Sequence, residues 1–248
     1  VKKLPYGCYM KIAKGKIEIS RYYEFEYCEE TKKNIHSDDE YIENLDSLFK
    51  HAVKLQFDKD NEYGYDHLAT LSGGLDSRMT VWVANTLGFN NIVNLTFGMS
   101  DCSDEKIAKM VANKLGNSMI IRTLNDGNML SLYRDIVKLN GGISLYSGIA
   151  HSMTALSSIN YKRYGILHTG DLGDAIVGSF AHKNEGDFPG AYSLKLKKYI
   201  SHKMDDTKNI EKFKMVSRGF NGVGASKIVC ENYIDCISPF LYKDFFEY

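Results

Sequence analysis

The sequence predicts an α/β protein: a parallel sheet of the five-stranded type flanked by helices, with a short β-hairpin ahead of it. Two observations carry the sheet. An apolar run, Leu68-Ala69-Thr70-Leu71, passes through Ser72-Gly73-Gly74 into a stretch where Met79, Trp82, Val83 and Leu87 recur at helical spacing and Gly88 supplies a stop. The order then repeats: Ile92-Val93-Asn94-Leu95-Thr96-Phe97, a helical spacing of Ile107, Ala108, Val111 and Leu115, and Met119-Ile120-Ile121. Strand–helix–strand units close through right-handed crossovers, which makes their strands parallel. A third observation bounds the size. With 248 residues, 44% apolar and 25% charged, the chain suffices for one large domain, or one domain with an appendage.

Basic and acidic residues number 31 each, so the zero net charge offers no field to nucleic acid or an anionic membrane. No apolar run approaches the roughly 20 residues that span a bilayer, and the amino terminus lacks a signal-peptide pattern. Cys8, Cys28, Cys102, Cys230 and Cys236 are odd in number and form no C-x-x-C. Free thiols in a reducing cytoplasm are expected, and a zinc site is not. The seven histidines are scattered without paired spacing and read as ordinary surface or satisfied side chains.

The elements follow in order. Tyr9-Met10-Lys11-Ile12, a Lys14-Gly15-Lys16 turn and Ile17-Glu18-Ile19 make the hairpin. Ser37-Asp38-Asp39-Glu40 is a capping box, opening a helix with Tyr41, Leu45, Leu48, Phe49 and Ala52 on one face. The polar stretch from Asp58 to Asp66 reads as the return to the sheet. Ser103 caps the next helix but one, and Gly116 closes it. Residues 126–163 read as mainly helical with a break at Gly141-Gly142, and Gly165-Ile166-Leu167-His168 as a fourth strand. Residues 182–190 read as loop, 195–204 as a basic solvated helix, and the glycine-rich 219–224 as mobile. The apolar, aromatic end from Pro239 to Tyr248 suggests a parent protein that continues.

Ligands of parallel sheets bind at the carboxyl ends of the strands, which puts Ser72, Phe97 and Gly98 on one rim. In the turn at 72–77, backbone N–H groups and a helix dipole converge, the glycines leave room, and Ser72 and Ser77 add hydroxyls. Phosphate or pyrophosphate suits such a seat. Asp76 would repel phosphate unless Mg²⁺ bridged the two. The Gly-Lys-Ser/Thr ending of a Walker loop is missing, which argues against γ-phosphoryl transfer. A second turn, Thr169-Gly170-Asp171-Leu172-Gly173-Asp174, follows the fourth strand on the same rim. Its two carboxylates suit a metal ion or a nucleophile.

Ser72-Gly73-Gly74-Leu75-Asp76-Ser77 resembles the pyrophosphate loop of the N-type ATP pyrophosphatases, which cleave ATP to AMP and pyrophosphate. With Arg78 and the surrounding chain it is similar to the synthetase domain of class B asparagine synthetases and their relatives. The resemblance implies an adenine nucleotide alpha hydrolase-like (HUP-like) fold, ATP and Mg²⁺, and a carbon–nitrogen ligase. Such an enzyme adenylates a carboxylate, releases pyrophosphate, then passes ammonia or another amine to it and releases AMP, as the amidotransferases of asparagine biosynthesis do. On this resemblance Leu71, Ser72, Gly73, Gly74, Leu75, Asp76, Ser77, Phe97, Gly98 and Gly170 bind ATP, and Asp76 and Asp174 hold the metal. Asp171 takes the place of a catalytic glutamate.

The second turn departs from the family's Ser-Gly-Glu-Gly-x-Asp-Glu: Asp171 is one methylene shorter, Leu172 replaces a glycine and Ala175 replaces an acid. These changes bear on the acceptor more than on ATP. Pro239-Phe240-Leu241 resembles the family's final motif. The catalytic lysine ahead of that motif aligns near Gly224, so Lys227 is assigned its role, with Arg218 as runner-up. Asp104-Glu105 resembles a family acidic pair but reads as plain helix-dipole charge. Pro5, Gly7, Tyr22 and Tyr23 resemble the segment joining glutaminase to synthetase, which divides the chain into a hairpin linker, 1–30, and an ATP pyrophosphatase unit, 31–248, truncated at its end. The family's glutaminase nucleophile is an amino-terminal cysteine, whereas Cys8 lies inside the hairpin, so a separate or missing glutaminase is expected. The expected partners are a small carboxylate substrate and an ammonia or amine donor, without nucleic acid or membrane.

Three other functions stay open. The same adenylation serves lactam or peptide cyclases and enzymes that amidate sugar acids, and Phe220-Asn221-Gly222-Val223 is similar to asparagine-synthetase-like proteins of surface-polysaccharide gene sets. Ala175 and the unmatched lysine also allow a decayed nucleotide-binding scaffold. A tRNA-thiolating relative would need cysteine pairs and a basic face, and neither is present.

Overall fold

A computed structural model describes residues 3–25, 37–143, 147–179 and 210–248. Cys28, the 182–190 loop and the 195–204 helix lie outside the described residues. β1 (Cys8–Ala13) and β2 (Lys16–Arg21) form an antiparallel hairpin with Met10 opposite Ile19 and Ile12 opposite Ile17. Five parallel strands then form one sheet: β3 (Asp66–Thr70), β4 (Ile92–Gly98), β5 (Ser118–Thr123), β6 (Tyr164–His168) and β7 (Asp235–Ile237), in the spatial order β5-β4-β3-β6-β7. The chain enters at the centre, steps outward twice, and returns to the other side of β3. The turns after β3 and β6 therefore flank the point where strand order reverses, which is where open α/β sheets place ligands.

Helix α1 (Asp38–Tyr63) starts as its capping box dictates: Glu40 N–H donates to Ser37 Oγ at 3.1 Å, and Gly64 ends it in the left-handed region. It runs five residues past Asp58. Residues 58–63 of the polar stretch are thus its last turns, braced by pairs such as Lys59–Glu62, and Gly64-Tyr65 alone makes the return to the sheet. α2 (Leu75–Thr86) follows the glycine turn. In α3 (Ser103–Leu115) the cap is Cys102, not Ser103, which is already helical; Gly116 closes it as expected. α4 (Tyr133–Asn140) ends at Gly141, and α5 (Ser147–Ser157) follows. Residues 219–224, expected to be mobile, belong to wide helical turns (Met215–Gly224) that join α6 (Ile210–Lys214) to α7 (Ala225–Cys230). α8 (Lys243–Glu247) ends the chain.

The period of two in the strands splits the core into two layers. Ala69, Leu71 and Ile92 pack with Phe49, Phe57, Val81 and Ala108 of α1 to α3. Leu68, Leu95 and Leu167 pack with Ile136, Leu156 and Val229 of α4, α5 and α7. Under β3 and β6 lies a buried polar cluster that the scattered histidines did not announce. His67 Nδ1 and His168 Nε2 lie 2.9 and 2.7 Å from the same oxygen of Asp60, Oδ2. Burial pushes the Asp60 carboxyl up, but the hydrogen bonds from His168 and His67 outweigh it and hold the group below its usual range. Burial holds His168 below its ordinary value, so it stays neutral and donates from Nε2. Among the described residues, no helix is long and apolar enough to cross a membrane.

Candidate active site

The glycine turn after β3 is braced from within. Ser72 N–H donates to Ser77 Oγ (3.0 Å), Gly74 N–H to Ser72 Oγ (3.1 Å), and Gly73 N–H to Asp104 Oδ1 on α3 (2.8 Å). These bonds satisfy the first three donors and fix the bend. The N–H groups of Leu75, Asp76 and Ser77 open α2 and have no intrahelical acceptor. They carry the positive end of the helix dipole. The serines thus build the loop as much as they face a ligand.

The turn after β6 presses directly on this loop. A Cβ on Gly170 would lie 2.4 Å from Ser77 N, and one on Gly173 would lie 2.6 Å from Asp76 Cγ, so neither position accepts a side chain. Asp174 N–H donates to Asp76 Oδ2 at 3.1 Å. Thr169 N–H donates to the Ile237 carbonyl at 2.8 Å, which ties the turn to β7. Lys227, reaching in from α7, places Nζ 3.1 Å from Asp171 Oδ2 and 3.5 Å from Thr169 Oγ1. The Lys227 side chain is 12% exposed and that of Asp171 41%, so the ammonium is shielded while the carboxylate is open to the cavity.

A cavity of about 1190 Å³ opens over these groups. Its walls include Leu71, Ser72, Gly74, Asp76, Ser77, Phe97, Gly98, Gly170, Asp171, Asp174 and Lys227, all anticipated from the sequence. Gly73 and Leu75 are not on its wall. Gly73 turns to α3, and Leu75 points outward, 74% exposed. His151 is a wall residue without a local signal. Asp104, Arg218 and Asn221, noted in the sequence as part of an acidic pair, a runner-up to Lys227 and part of a family-like segment, also reach the wall. His151 of α5 packs on Phe97 with ring centroids 5.0 Å apart. Arg218 and Asn221 come from the wide helical turns, which only the tertiary structure brings to the rim.

Burial pushes the Asp76 carboxyl above its ordinary range, and repulsion from Asp174 and Asp171 adds to this, while the Asp174 N–H opposes it. Among the described residues, no cation pairs with this half-buried, crowded carboxylate. The donor set is oxygen only, from Asp76 and Asp174, which fits a hard divalent cation such as Mg²⁺. Cys230 and Cys236 also border the cavity as free thiols.

Residues 44–217, more than half of the chain, match the asparagine synthase family. Solved structures similar to the chain include the predicted subunit of tRNA methyltransferase from Methanocaldococcus jannaschii, at 17% identity, a TM-score of 0.33 and 73% of each chain covered. Another is NAD+ synthetase from Burkholderia pseudomallei, at 13% identity, a TM-score of 0.35, and 58% of this chain and 59% of that one covered. No curated protein matches the chain. With its strand order, its two turns at the switch point and this match, the chain belongs to the asparagine synthase family, whose members are ATP-utilising ligases.

Proposed function

We propose that the protein is an ATP-dependent carbon–nitrogen ligase that forms AMP and pyrophosphate: a substrate carboxylate is adenylated, then taken by ammonia or another amine. The observation that carries this function is the meeting of three groups far apart in sequence on one cavity. The pyrophosphate loop at 72–77 and the turn at 169–174 touch, and Lys227 reaches across to Asp171. A decayed site has no reason to keep a shielded lysine on its central carboxylate.

Each group has a role in this scheme. The N–H groups of Leu75 to Ser77 and the Ser72 and Ser77 hydroxyls bind the pyrophosphate end of ATP, where charge builds as it leaves. Phe97 covers the adenine, with Gly98 and Gly170 leaving room beside it, and Leu71, whose side chain packs into the core, borders it. Asp76 and Asp174 hold Mg²⁺, which supplies charge neutralisation to the phosphates. Lys227 Nζ stabilises the anionic centre at the transferring adenylate, and its bond to Asp171 Oδ2 holds it there. Asp171 accepts a proton from the incoming amine. We assign residues 31–248 to this ATP pyrophosphatase unit and residues 1–30 to the hairpin linker. A glutaminase, or free ammonia, supplies the nitrogen in this scheme.

The test is pyrophosphate release from MgATP, screened across aspartate, amino-acid and sugar-acid carboxylates, each with and without ammonia. We expect release that depends on one class of carboxylate, and loss of at least about 100-fold in Lys227→Ala, the scale of a lost transition-state donor. Release with aspartate makes it an asparagine synthetase. Release with a sugar acid, or with a substrate carrying its own amine, makes it an amidating enzyme or a cyclase. ATP binding without release for any carboxylate returns the chain to a nucleotide-binding scaffold.

A further inference from the structure

The acidic pair at the start of α3 divides its labour. Glu105 is engaged locally: it accepts the Asp101 N–H, from the turn before the helix, at 2.7 Å and pairs with Lys109. Asp104 reaches out of the helix instead, and its Oδ1 accepts the Gly73 N–H at 2.8 Å. The contact is close on all sides. A Cβ on Gly73 would lie 2.5 Å from Asp104 Oδ1, 3.1 Å from Asp104 Cα and 3.3 Å from Ile107 Cδ1. The loop backbone is therefore seated on α3, and Asp104 borders the cavity. Asp76 lies on the other flank, where it meets Gly173 and the Asp174 N–H.

A carboxylate beside a pyrophosphate seat opposes binding by its charge. Its compensation is a charge-assisted bond to the backbone. That bond turns Gly73 toward α3, while Gly74 N–H is held by Ser72 Oγ, and the N–H groups of Leu75, Asp76 and Ser77 remain without an intrahelical acceptor at the start of α2. We propose that Asp104 is a positioning residue of the pyrophosphate loop. It acts as a backbone acceptor and not as a cation ligand, and it sets the affinity for the pyrophosphate end of ATP. This inference rests on the nucleotide function proposed above.

The acceptor and charge roles separate in two variants. Asp104→Asn keeps an oxygen acceptor and removes the charge, whereas Asp104→Ala removes both. Binding of magnesium pyrophosphate and of MgATP is measured by calorimetry, with hydrogen exchange at residues 71–78 in the ligand-free protein. We expect Asp104→Ala to weaken both ligands by about tenfold or more and to lose protection at Gly73, the loss of one charged hydrogen bond. Asp104→Asn retains protection and binds within about threefold of the parent, or more tightly, because the repulsion is gone. Should Asp104→Ala fail to fold, Asp104→Glu displaces the same acceptor: weakened binding supports the role, and unchanged binding overturns it. Parent-like binding by Asp104→Ala overturns the inference alone. So does an Asp104→Asn as weak as Asp104→Ala, which would make Asp104 a cation ligand. A parent protein that binds neither ligand overturns the nucleotide function and this inference with it.

Discussion

Leu172 is the residue where the second turn departs most from its family, and the backbone shows what the change costs. Its φ is +64°, in the left-handed region where the family carries glycine. An L side chain there costs about 1–2 kcal/mol. The side chain is half-buried and lies against Gly219, whose added Cβ would sit 3.7 Å from Leu172 Cδ1. Packing on the wide helical turns thus offsets the strain. Leu172→Ala loses the packing and keeps the strain, while Leu172→Gly loses the packing and relieves it. We therefore expect Leu172→Gly to be more stable than Leu172→Ala by about 1 kcal/mol, against the usual order of the two residues. Urea unfolding of the pair measures this, and the usual order would contradict it. The departure from glycine was legible in the sequence. The backbone angle and the packing partner were not, because residues 215–224 reach the turn only through the fold.

At the scale of elements, Asp60 on α1, His67 on β3 and His168 on β6 lock a helix to two adjacent central strands. The lock is acid-sensitive. His168 is depressed below its ordinary value of 6.5 by burial, with the Asp60 bond opposing. Below pH 6.5 the unfolded chain therefore binds a proton that the native state refuses, and stability falls with falling pH down to the folded value. Asp60 is depressed below 3.8. Its contribution is present above that pH and is lost as pH falls further, through the folded value. We expect the urea midpoint to decline from about pH 6.5 downward, and His168→Gln to flatten that first decline while leaving the protein less stable at pH 8. An unchanged slope in His168→Gln would remove the histidine from the explanation. His168 lies 108 residues from Asp60, and His67, though only seven away, sits on a strand beyond the end of the helix that carries Asp60, so neither helical nor strand spacing joins them. The fifth strand, β7, escaped for a different reason: Asp235–Ile237 is too short to display a period.

For the whole molecule, the site lies on the seam between the two halves of the sheet. A ligand gripping the loop after β3 and the turn after β6 ties both layers of the core together, so its binding energy appears as global stability. At a ligand concentration about 100 times Kd, mass action adds roughly 2.7 kcal/mol. For a chain of this size that raises Tm by roughly 5–10 °C. We expect this shift with ATP and Mg²⁺ together. With ATP and a chelator we expect less than half of it, because Asp76 and Asp174 then face phosphates without a counter-charge. Thermal unfolding under the two conditions measures it. An equal shift with the chelator would place the nucleotide away from those carboxylates.

The sequence by itself determined the order of the first four sheet strands and the helices between them, the glycine turn with its serines and aspartate, and the carboxylate-bearing turn after the fourth strand. These features depend on neighbours within a few residues, through side-chain period, helix stops and glycine's lack of a Cβ. Tertiary structure alone decided which distant groups share a volume: Lys227 on Asp171, Asp104 beneath Gly73, two histidines on one aspartate. Such contacts form between residues whose separation along the chain carries no period. They are fixed by the crossover that returns β6 to the side of β3, and no local pattern records that choice.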